Sequence, residues 1–329
     1  MVRILNKMNV AELLTMSDTL NYVENAYKQL SLGNAIVPQR IAITDLAPGL
    51  TLIMPGIIGG GMNALATKIV SVYKDNPEKH NMPTVLGKIM IQDINTGEIV
   101  GIMDGGLITA MRTGAATGVS VKYLARKDST EMSIFGAGTQ AKKQVVATYW
   151  ALNQKLEKCK VFDVHRAASE SFKLELEKEL GIDIEIIDEV KDEFFSSDIL
   201  VAASTSSEPL FSGEKIQEGM HISSIGAHAP KARELDSLTI KKANLLVAGL
   251  KDACIAEAGD YIIPISEGII SKDDIISIGD IINRKASGRK SSSEITVFKS
   301  VGIAAQDVAV AKLVYDRALK ENIGQDINF

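Results

Sequence analysis

The stretch Met132-Ser133-Ile134-Phe135-Gly136-Ala137-Gly138-Thr139-Gln140-Ala141 decides the fold. An apolar run that reads as a short buried strand passes without a break into two glycines and then into a helical segment, 139–152. Each position has a physical task. Gly136 permits a tight turn, Gly138 lets the backbone approach a pyrophosphate, and the small Ala141 lets helix and strand pack closely. The helix N-terminus, with Thr139 and Gln140 at its start, offers unpaired amides and a partial positive charge to phosphate oxygens. An ordinary glycine-rich turn is the plainer alternative, and the strand before it and helix after it weigh against that.

Outward toward the C-terminus the chain alternates. Strands at 132–135, 160–164, 184–187, 199–203, 221–225 and 244–248 are spaced by helical segments such as 139–152 and 167–180. Such alternation implies an α/β fold with a parallel, doubly wound sheet, a Rossmann domain that binds a dinucleotide. The second strand runs on into His165-Arg166, at the spacing where a ribose-reading residue is expected. There Asp163 can accept from an NAD ribose, whereas Arg166, helped by His165, can pair with the 2′-phosphate of NADP. A solvated strand end is an equally good account of these residues, so NAD and NADP both stay open.

Outward toward the N-terminus the rhythm differs. A strand at 3–5 and an amphipathic helix, capped by Ser17 and closed by Gly33-Asn34, precede β-branched runs at 40–44, 51–54, 66–72, 85–93 and 98–103. Asn95-Thr96-Gly97 reads as a hairpin, and this half is expected to be sheet-rich, antiparallel or mixed. A helix of small residues at 107–124 follows, and another at 304–320 lies beyond the alternating block.

Bulk properties limit the function classes. At 329 residues two domains are expected, and 46% hydrophobic with 23% charged residues is globular composition. With 36 basic and 41 acidic residues the formal charge is −5, which argues against nucleic acid as the main partner. Two cysteines, Cys159 and Cys254, suit no disulfide framework or zinc motif, and the four histidines lack metal-ligand spacing, so no metal is expected. No apolar run nears the roughly 20 residues of a membrane span. The opening segment from Met1 to Val10 has no secretory pattern, so a reducing cytoplasm is the expectation.

Several segments outside the glycine turn share one pattern: Thr67-Lys68, the run from Met103 through Asp104-Gly105-Gly106 to Arg112-Thr113, Gly226-Ala227-His228 with Arg233-Glu234-Leu235-Asp236, Glu257-Ala258-Gly259-Asp260, and Thr296 through Lys299-Ser300-Val301-Gly302. Together they resemble the ornithine cyclodeaminase/mu-crystallin family, which also holds archaeal alanine dehydrogenases and ketimine reductases. The resemblance implies a substrate-binding and dimerisation domain at 1–113 plus 303–329, sheet-rich and α+β, with the Rossmann domain inserted at 114–302. It also implies a homodimer.

The resemblance implies site residues too. Arg40, Lys68 and Arg112 match the family's substrate-carboxylate cluster, and the chemistry asks for one. An amino or imino acid must be clamped by its carboxylate so that Cα presents one face to the nicotinamide, a task suited to arginine forks. Any single Arg or Lys is more often a surface charge, but an unpaired lysine in the middle of a strand, as Lys68 is, would be costly to bury. Lys68 can also move a proton if neighbouring cations or desolvation lower its pKa. Met54 and Val85 are expected to shape the pocket wall. Arg112 and Thr113 are expected at the cofactor, the stretch Thr113-Gly114-Ala115-Ala116 being read as the start of a helix laid against it. Ser204 and Thr205 would line the adenosine side, and Lys299, Ser300 and Gly302 resemble the segment that returns to the nicotinamide.

His228 is the informative departure. Family cyclodeaminases and the archaeal alanine dehydrogenase carry aspartate there, where it engages the substrate's amino group. An imidazole holds a distal ammonium less well than a carboxylate does. The expectation is therefore an NAD(P)-dependent oxidoreductase acting at a Cα–N bond, foremost a reductase of cyclic ketimines such as pyrroline- or piperideine-2-carboxylate, with Lys68 and His228 as catalytic residues. Alternatives are a redox-neutral ornithine cyclodeaminase, an alanine dehydrogenase, and a non-catalytic protein that sequesters a small ligand.

Overall fold

A computed structural model describes residues 1–44 and 46–328. The chain divides into two units, Met1–Arg112 with Ile303–Phe329, and Thr113–Gly302. The first opens with β1 (Val2–Leu5), α1 (Lys7–Leu13), α2 (Met16–Ser31), β2 (Ala35–Ile36), β3 (Ile41–Ile43), β4 (Leu50–Ile58), β5 (Ala64–Val72), α3 (Asn76–His80), β6 (Val85–Gln92) and β7 (Ile99–Asp104). The division falls inside α4 (Gly105–Leu124). The second unit holds β8 (Glu131–Phe135), α5 (Thr139–Ala151), β9 (Lys158–Phe162), α6 (Arg166–Leu180), β10 (Asp183–Ile186), β11 (Ile199–Ala202), β12 (His221–Ser224), α7 (Ser237–Lys242), β13 (Leu245–Ala248), α8 (Lys251–Glu257), α9 (Gly259–Ser266), β14 (Ile275–Ser277), α10 (Ile278–Ile282) and β15 (Thr296–Lys299). The chain then returns to the first unit with α11 (Ala304–Glu321) and β16 (Gln325–Ile327).

In the first unit the sheet runs β16-β1-β7-β6-β5-β4-β2, with β3 also on β4. It is mixed, because β1 pairs parallel with β7 while its other pairs are antiparallel. Alternation along β5 sends Ala64, Ala66, Lys68 and Val70 to the covered face, against which α11 packs, and Ile69 to the other. Helix α2 starts two residues earlier than Ser17 would have it. Thr15 is the cap, its side chain accepting from the Asp18 amide, and Ser17 lies inside the first turn. The short α1 has its own cap in Asn6, whose Oδ1 accepts from the Met8 and Asn9 amides at 2.9 and 3.0 Å.

The second unit's sheet runs β10-β9-β8-β11-β12-β15-β13-β14, and all these pairs are parallel. Strand order reverses between β8 and β11, so the crevice beyond their C-terminal ends is where a ligand belongs. Phe135, at the tip of β8, is locked edge-on against Phe194 at 4.7 Å and stacked on Phe211 at 5.6 Å, which anchors the strand end that carries the glycine turn. No helix among the described residues is long and apolar enough to cross a membrane.

His221 is fully buried in β12, with the Ser120 and Ser223 hydroxyls 3.0 and 3.1 Å from Nε2 and the Thr296 hydroxyl 2.9 Å from Nδ1. Burial, reinforced by the Arg289 cation, pushes its pKa down to about 3. A base whose pKa falls on folding contributes full stability above its unfolded value, and that contribution is lost as pH drops from about 6.5 toward about 3. Denaturant unfolding at pH 7 and pH 5 should show His221→Gln losing about 2 kcal/mol less than the parent over that interval. Equal losses would show that His221 does not carry this acid sensitivity.

Candidate active site

The first unit gathers two buried cations around one carboxylate. Lys68, on β5, is 1% exposed, and its Nζ donates to Asp307 Oδ2 at 2.7 Å. Arg112, on α4 and also buried, donates from Nε to Asp307 Oδ1 at 3.1 Å and from Nη1 to Gln306 Oε1 at 2.9 Å. Gln306 Nε2 donates in turn to Tyr27 Oη on α2 at 2.6 Å. Burial pulls the Lys68 pKa down to about 7; the Arg112 charge adds to the fall, Asp307 opposes it, and Arg40 lowers it a little further. Arg40, half-buried just before β3, thus belongs to the same electrostatic cluster. Met54 sits directly across from Lys68 in the β4–β5 register and is buried in an apolar cluster with Leu52, Val70 and Ala304, against which Val85 packs. The wall beside the cations is therefore hydrocarbon.

Gln306 and Asp307 escaped the sequence reading. The available signal was two consecutive polar residues amid Ala304, Ala305, Val308 and Ala309, on a helix that buries those neighbours. A carboxylate in such a setting needs a partner, but which one depends on the fold.

In the second unit the glycine turn has the geometry its residues imply. Gly136 has φ +102°, and a Cβ there would stand 2.6 Å from the Ala203 carbonyl oxygen, so only glycine fits. Gly138 is the N-cap of α5, no side chain caps that helix, and a Cβ on Gly138 would meet nothing within 4 Å. The open side and the free amides form a cradle that accommodates a pyrophosphate. Thr139 and Gln140 begin α5, and Gln140 Oε1 is buried with no hydrogen bond. Asp163 braces the turn: Oδ2 accepts from the Ala137 amide and Oδ1 from the His165 amide, each at 2.8 Å. His165 is exposed at the N-cap of α6. Arg166, next along, is engaged by Asp188 and by Glu170 at 3.3 Å.

The adjoining loops hang on a buried polar frame. Glu234 Oε1 accepts from the Ser204 amide and hydroxyl, both at 2.8 Å, while Oε2 accepts from the Gly226 amide at 2.7 Å. Asp260 Oδ1 accepts from the Glu234 and Leu235 amides at 3.0 Å, and its Oδ2 lies 2.8 Å from Lys299 Nζ. Lys299 also donates to Ser224 Oγ at 2.9 Å and has no exposed surface. Its ammonium is thus occupied inside the frame. Ser300 is buried and accepts from the Gly302 amide at 3.3 Å, whereas Thr205 is exposed beyond the end of β11. Thr113 and Gly114 do not start a helix but lie within α4, where Gly114 is packed against the Lys143 backbone of α5. His228 lies on the exposed loop after β12, and its Nδ1 is 2.8 Å from the Gly226 carbonyl oxygen. A carbonyl only accepts, so Nδ1 carries the proton and Nε2 the basic lone pair of the neutral ring.

A parallel sheet bearing this turn, in a chain that also buries a lysine–arginine cluster, defines an enzyme of amino- or imino-acid chemistry that uses a nicotinamide dinucleotide. The chain belongs to the ornithine cyclodeaminase/mu-crystallin family, which it matches over residues 2–322. It is 34% identical over 320 residues to a Delta(1)-pyrroline-2-carboxylate reductase of Bacillus cereus, covering 97% of each chain. The solved structure of Thermococcus litoralis Delta(1)-pyrroline-2-carboxylate reductase, in complex with NADH and L-proline, is similar at TM-score 0.94 and 40% identity, covering 99% of this chain and 100% of that one. An archaeal alanine dehydrogenase dimer with bound NAD matches at TM-score 0.91 and 34% identity, over 100% of this chain and 99% of that one.

The two glycines should fail differently. Gly136→Ala is expected to destabilise the fold by roughly 1–3 kcal/mol and to weaken NADH binding. Gly138→Ala meets no protein atom, so its unfolding curve should match the parent while NADH affinity, read by nucleotide fluorescence, falls about tenfold or more. Unchanged affinity in Gly138→Ala would place the pyrophosphate elsewhere.

Proposed function

We propose that this protein is an NADH-dependent reductase of cyclic ketimino acids, converting Δ1-pyrroline-2-carboxylate or its six-membered homologue to the corresponding cyclic L-amino acid, L-proline in the first case. The observation that carries this is the buried Lys68–Asp307–Arg112 cluster beside an apolar wall. It combines cations for a carboxylate, a lysine able to exchange a proton near neutral pH, and hydrocarbon for a ring. The substrate carboxylate is held by Arg112, Arg40 and Lys68. The ring carbon accepts the hydride that bound NADH supplies, and the ring nitrogen takes a proton from the Lys68 ammonium, which solvent later restores. The names of the similar reductases support the same substrate class.

Proton transfer is assigned to Lys68 in preference to His228. Lys68 sits among the cations that would hold the substrate, whereas the His228 ring is tethered on an exposed loop. Ornithine fits this cluster less well. The carboxylate that faces Lys68, Asp307, is committed to two cations, and Met54 across the strand is apolar, so a second substrate ammonium finds no counter-charge there. Arg166 is engaged by Asp188 and Glu170, which leaves it poorly placed for a 2′-phosphate and favours NADH over NADPH. Binding of the dinucleotide is assigned to Gly136, Gly138, Thr139, Gln140, Asp163, Ser204 and Thr205, with the frame around Lys299 and Glu234 holding the loops.

Homodimerisation and cytoplasmic residence complete the reading. On the sheet face away from α11, Ile69 is 41% exposed, and Ile41 and Ile43 on the β3 edge are 57% and 50% exposed, an apolar surface that suits a second copy. Light scattering should give twice the monomer mass, and Ile69→Lys should lower it to that of a monomer. Both cysteines are buried free thiols, as a reducing compartment permits.

Reduction needs Lys68 charged and the reverse oxidation needs it neutral. With NADH and Δ1-pyrroline-2-carboxylate, kcat/KM should fall as pH rises through about 7, while L-proline oxidation by NAD should rise through the same interval. Parallel profiles for the two directions would sink the assignment. Lys68→Met should abolish turnover with NADH binding intact, and should also stabilise the fold at pH 7. The lysine's pKa is lowered on folding, so its stability contribution is present above about 10.5 and lost as pH falls toward about 7. Turnover with pyruvate plus ammonia but not with the ketimines, or ammonia release from ornithine without net NADH change, would replace this reading.

A further inference from the structure

Asp307 stands between the two cations on which the proposed chemistry depends. Its Oδ2 takes Lys68 Nζ at 2.7 Å and its Oδ1 takes Arg112 Nε at 3.1 Å, and the residue is itself buried. The charged groups that face Lys68 are Arg112 from α4, Asp307 from α11 and Arg40 from the segment before β3. Across the strands it meets Met54 on β4 and Ile89 on β6, neither of which titrates. Asp307 is thus the one anion in this set. Without it, a buried ammonium would face two guanidinium charges and shed its proton.

The same carboxylate fixes the arginine. Asp307 on Nε and Gln306 on Nη1 set the roll of the planar guanidinium, and these two contacts leave Nη2 out of both. Gln306 is itself held by Tyr27 Oη and by the Ile303 amide at 3.2 Å, so the bracket is anchored to α2 and to the start of α11. A planar fork held at two nitrogens loses little further freedom when it takes a carboxylate.

We infer that Asp307 is a positioning residue, which keeps Lys68 supplied with the proton it delivers and aims Arg112 at the substrate carboxylate. The inference rests on the reductase reading for its purpose, but its physical content is a property of the protein alone. A bound substrate carboxylate adds a second anion to the cluster. The ammonium is therefore favoured more strongly in the complex, and kcat should titrate at higher pH than kcat/KM.

The test is a 13Cε NMR titration of lysine-labelled protein without cofactor or substrate, with the Lys68 signal assigned by its loss in Lys68→Arg. The parent midpoint is expected near 7. In Asp307→Asn it should fall by about one unit or more, and kcat/KM for Δ1-pyrroline-2-carboxylate at pH 7.5 should drop about tenfold or more with a raised KM. An unchanged midpoint in Asp307→Asn overturns the inference. Asp307→Glu keeps the charge, so its midpoint should stay within about half a unit of the parent. A fall as large as that of the Asn variant would mean that packing rather than charge is responsible, and would overturn it equally. If the Asn variant fails to fold, the Glu variant still tests the inference, because a fall of about one unit or more in its midpoint would overturn it without reference to the Asn variant. A parent protein that shows these midpoints yet leaves cyclic ketimines untouched would refute the reductase reading and leave the role of Asp307 standing.

Discussion

Removing an ammonium and a guanidinium from water costs several kcal/mol each unless a counter-charge meets them, and the first unit meets two with one carboxylate. Asp307 lies on α11, the helix that returns after the whole second unit has been traversed, and Lys68 and Arg112 lie on β5 and α4. The salt-bridged core of this unit is therefore made from segments that are far apart in sequence. Its completion requires that the last helix dock on the sheet, so the formation of the buried ion-pair cluster and the closure of the unit are the same event. A single buried anion against a positive surplus also leaves room for one more negative group, which is what a substrate carboxylate is.

The second unit uses charge differently. Glu234, Asp260 and Lys299 are sealed from solvent, and their oxygens and ammonium are taken up by backbone amides, by Ser204 and Ser224, and by each other. A satisfied network of this kind makes little demand for a ligand and much for geometry, because every loop amide it holds is fixed in place. The turns that follow β11 and β12 are thereby positioned without contributing charge to the site. The glycine turn completes the cradle by the opposite means, through the absence of side chains at Gly136 and Gly138.

On the role proposed for Lys68, stability and activity pull apart there. A buried lysine depressed to about 7 disfavours the folded state at neutral pH, yet a proton donor for imine reduction is best placed near that value. The fold tolerates the cost because the surrounding sheet and helices bury a continuous apolar layer, Met54, Leu52, Val70 and Ala304 among it. His221 illustrates the harmless counterpart: it is as deeply buried, but neutral and hydrogen-bonded on both nitrogens, and so it is structural.

Local patterns settled much of this protein from the sequence alone. The glycine turn between strand and helix and the alternating elements after it were legible because each depends on steric or periodic rules acting over a few residues, whereas Lys68 and Arg112 were singled out by the resemblance. The resemblance of motifs spread along the chain supplied the family. Helix starts were legible only approximately, since Thr15 and Ser17 are equally good caps until the fold chooses the backbone angle. What only the tertiary structure decided is how charges pair. A sequence can show that Lys68, Lys299 and Asp307 are charged, but not that Lys299 is spent on Asp260 while Lys68 shares Asp307 with Arg112. Electrostatic partnership is a matter of distance through space and of local desolvation, and neither quantity exists until the chain has closed on itself.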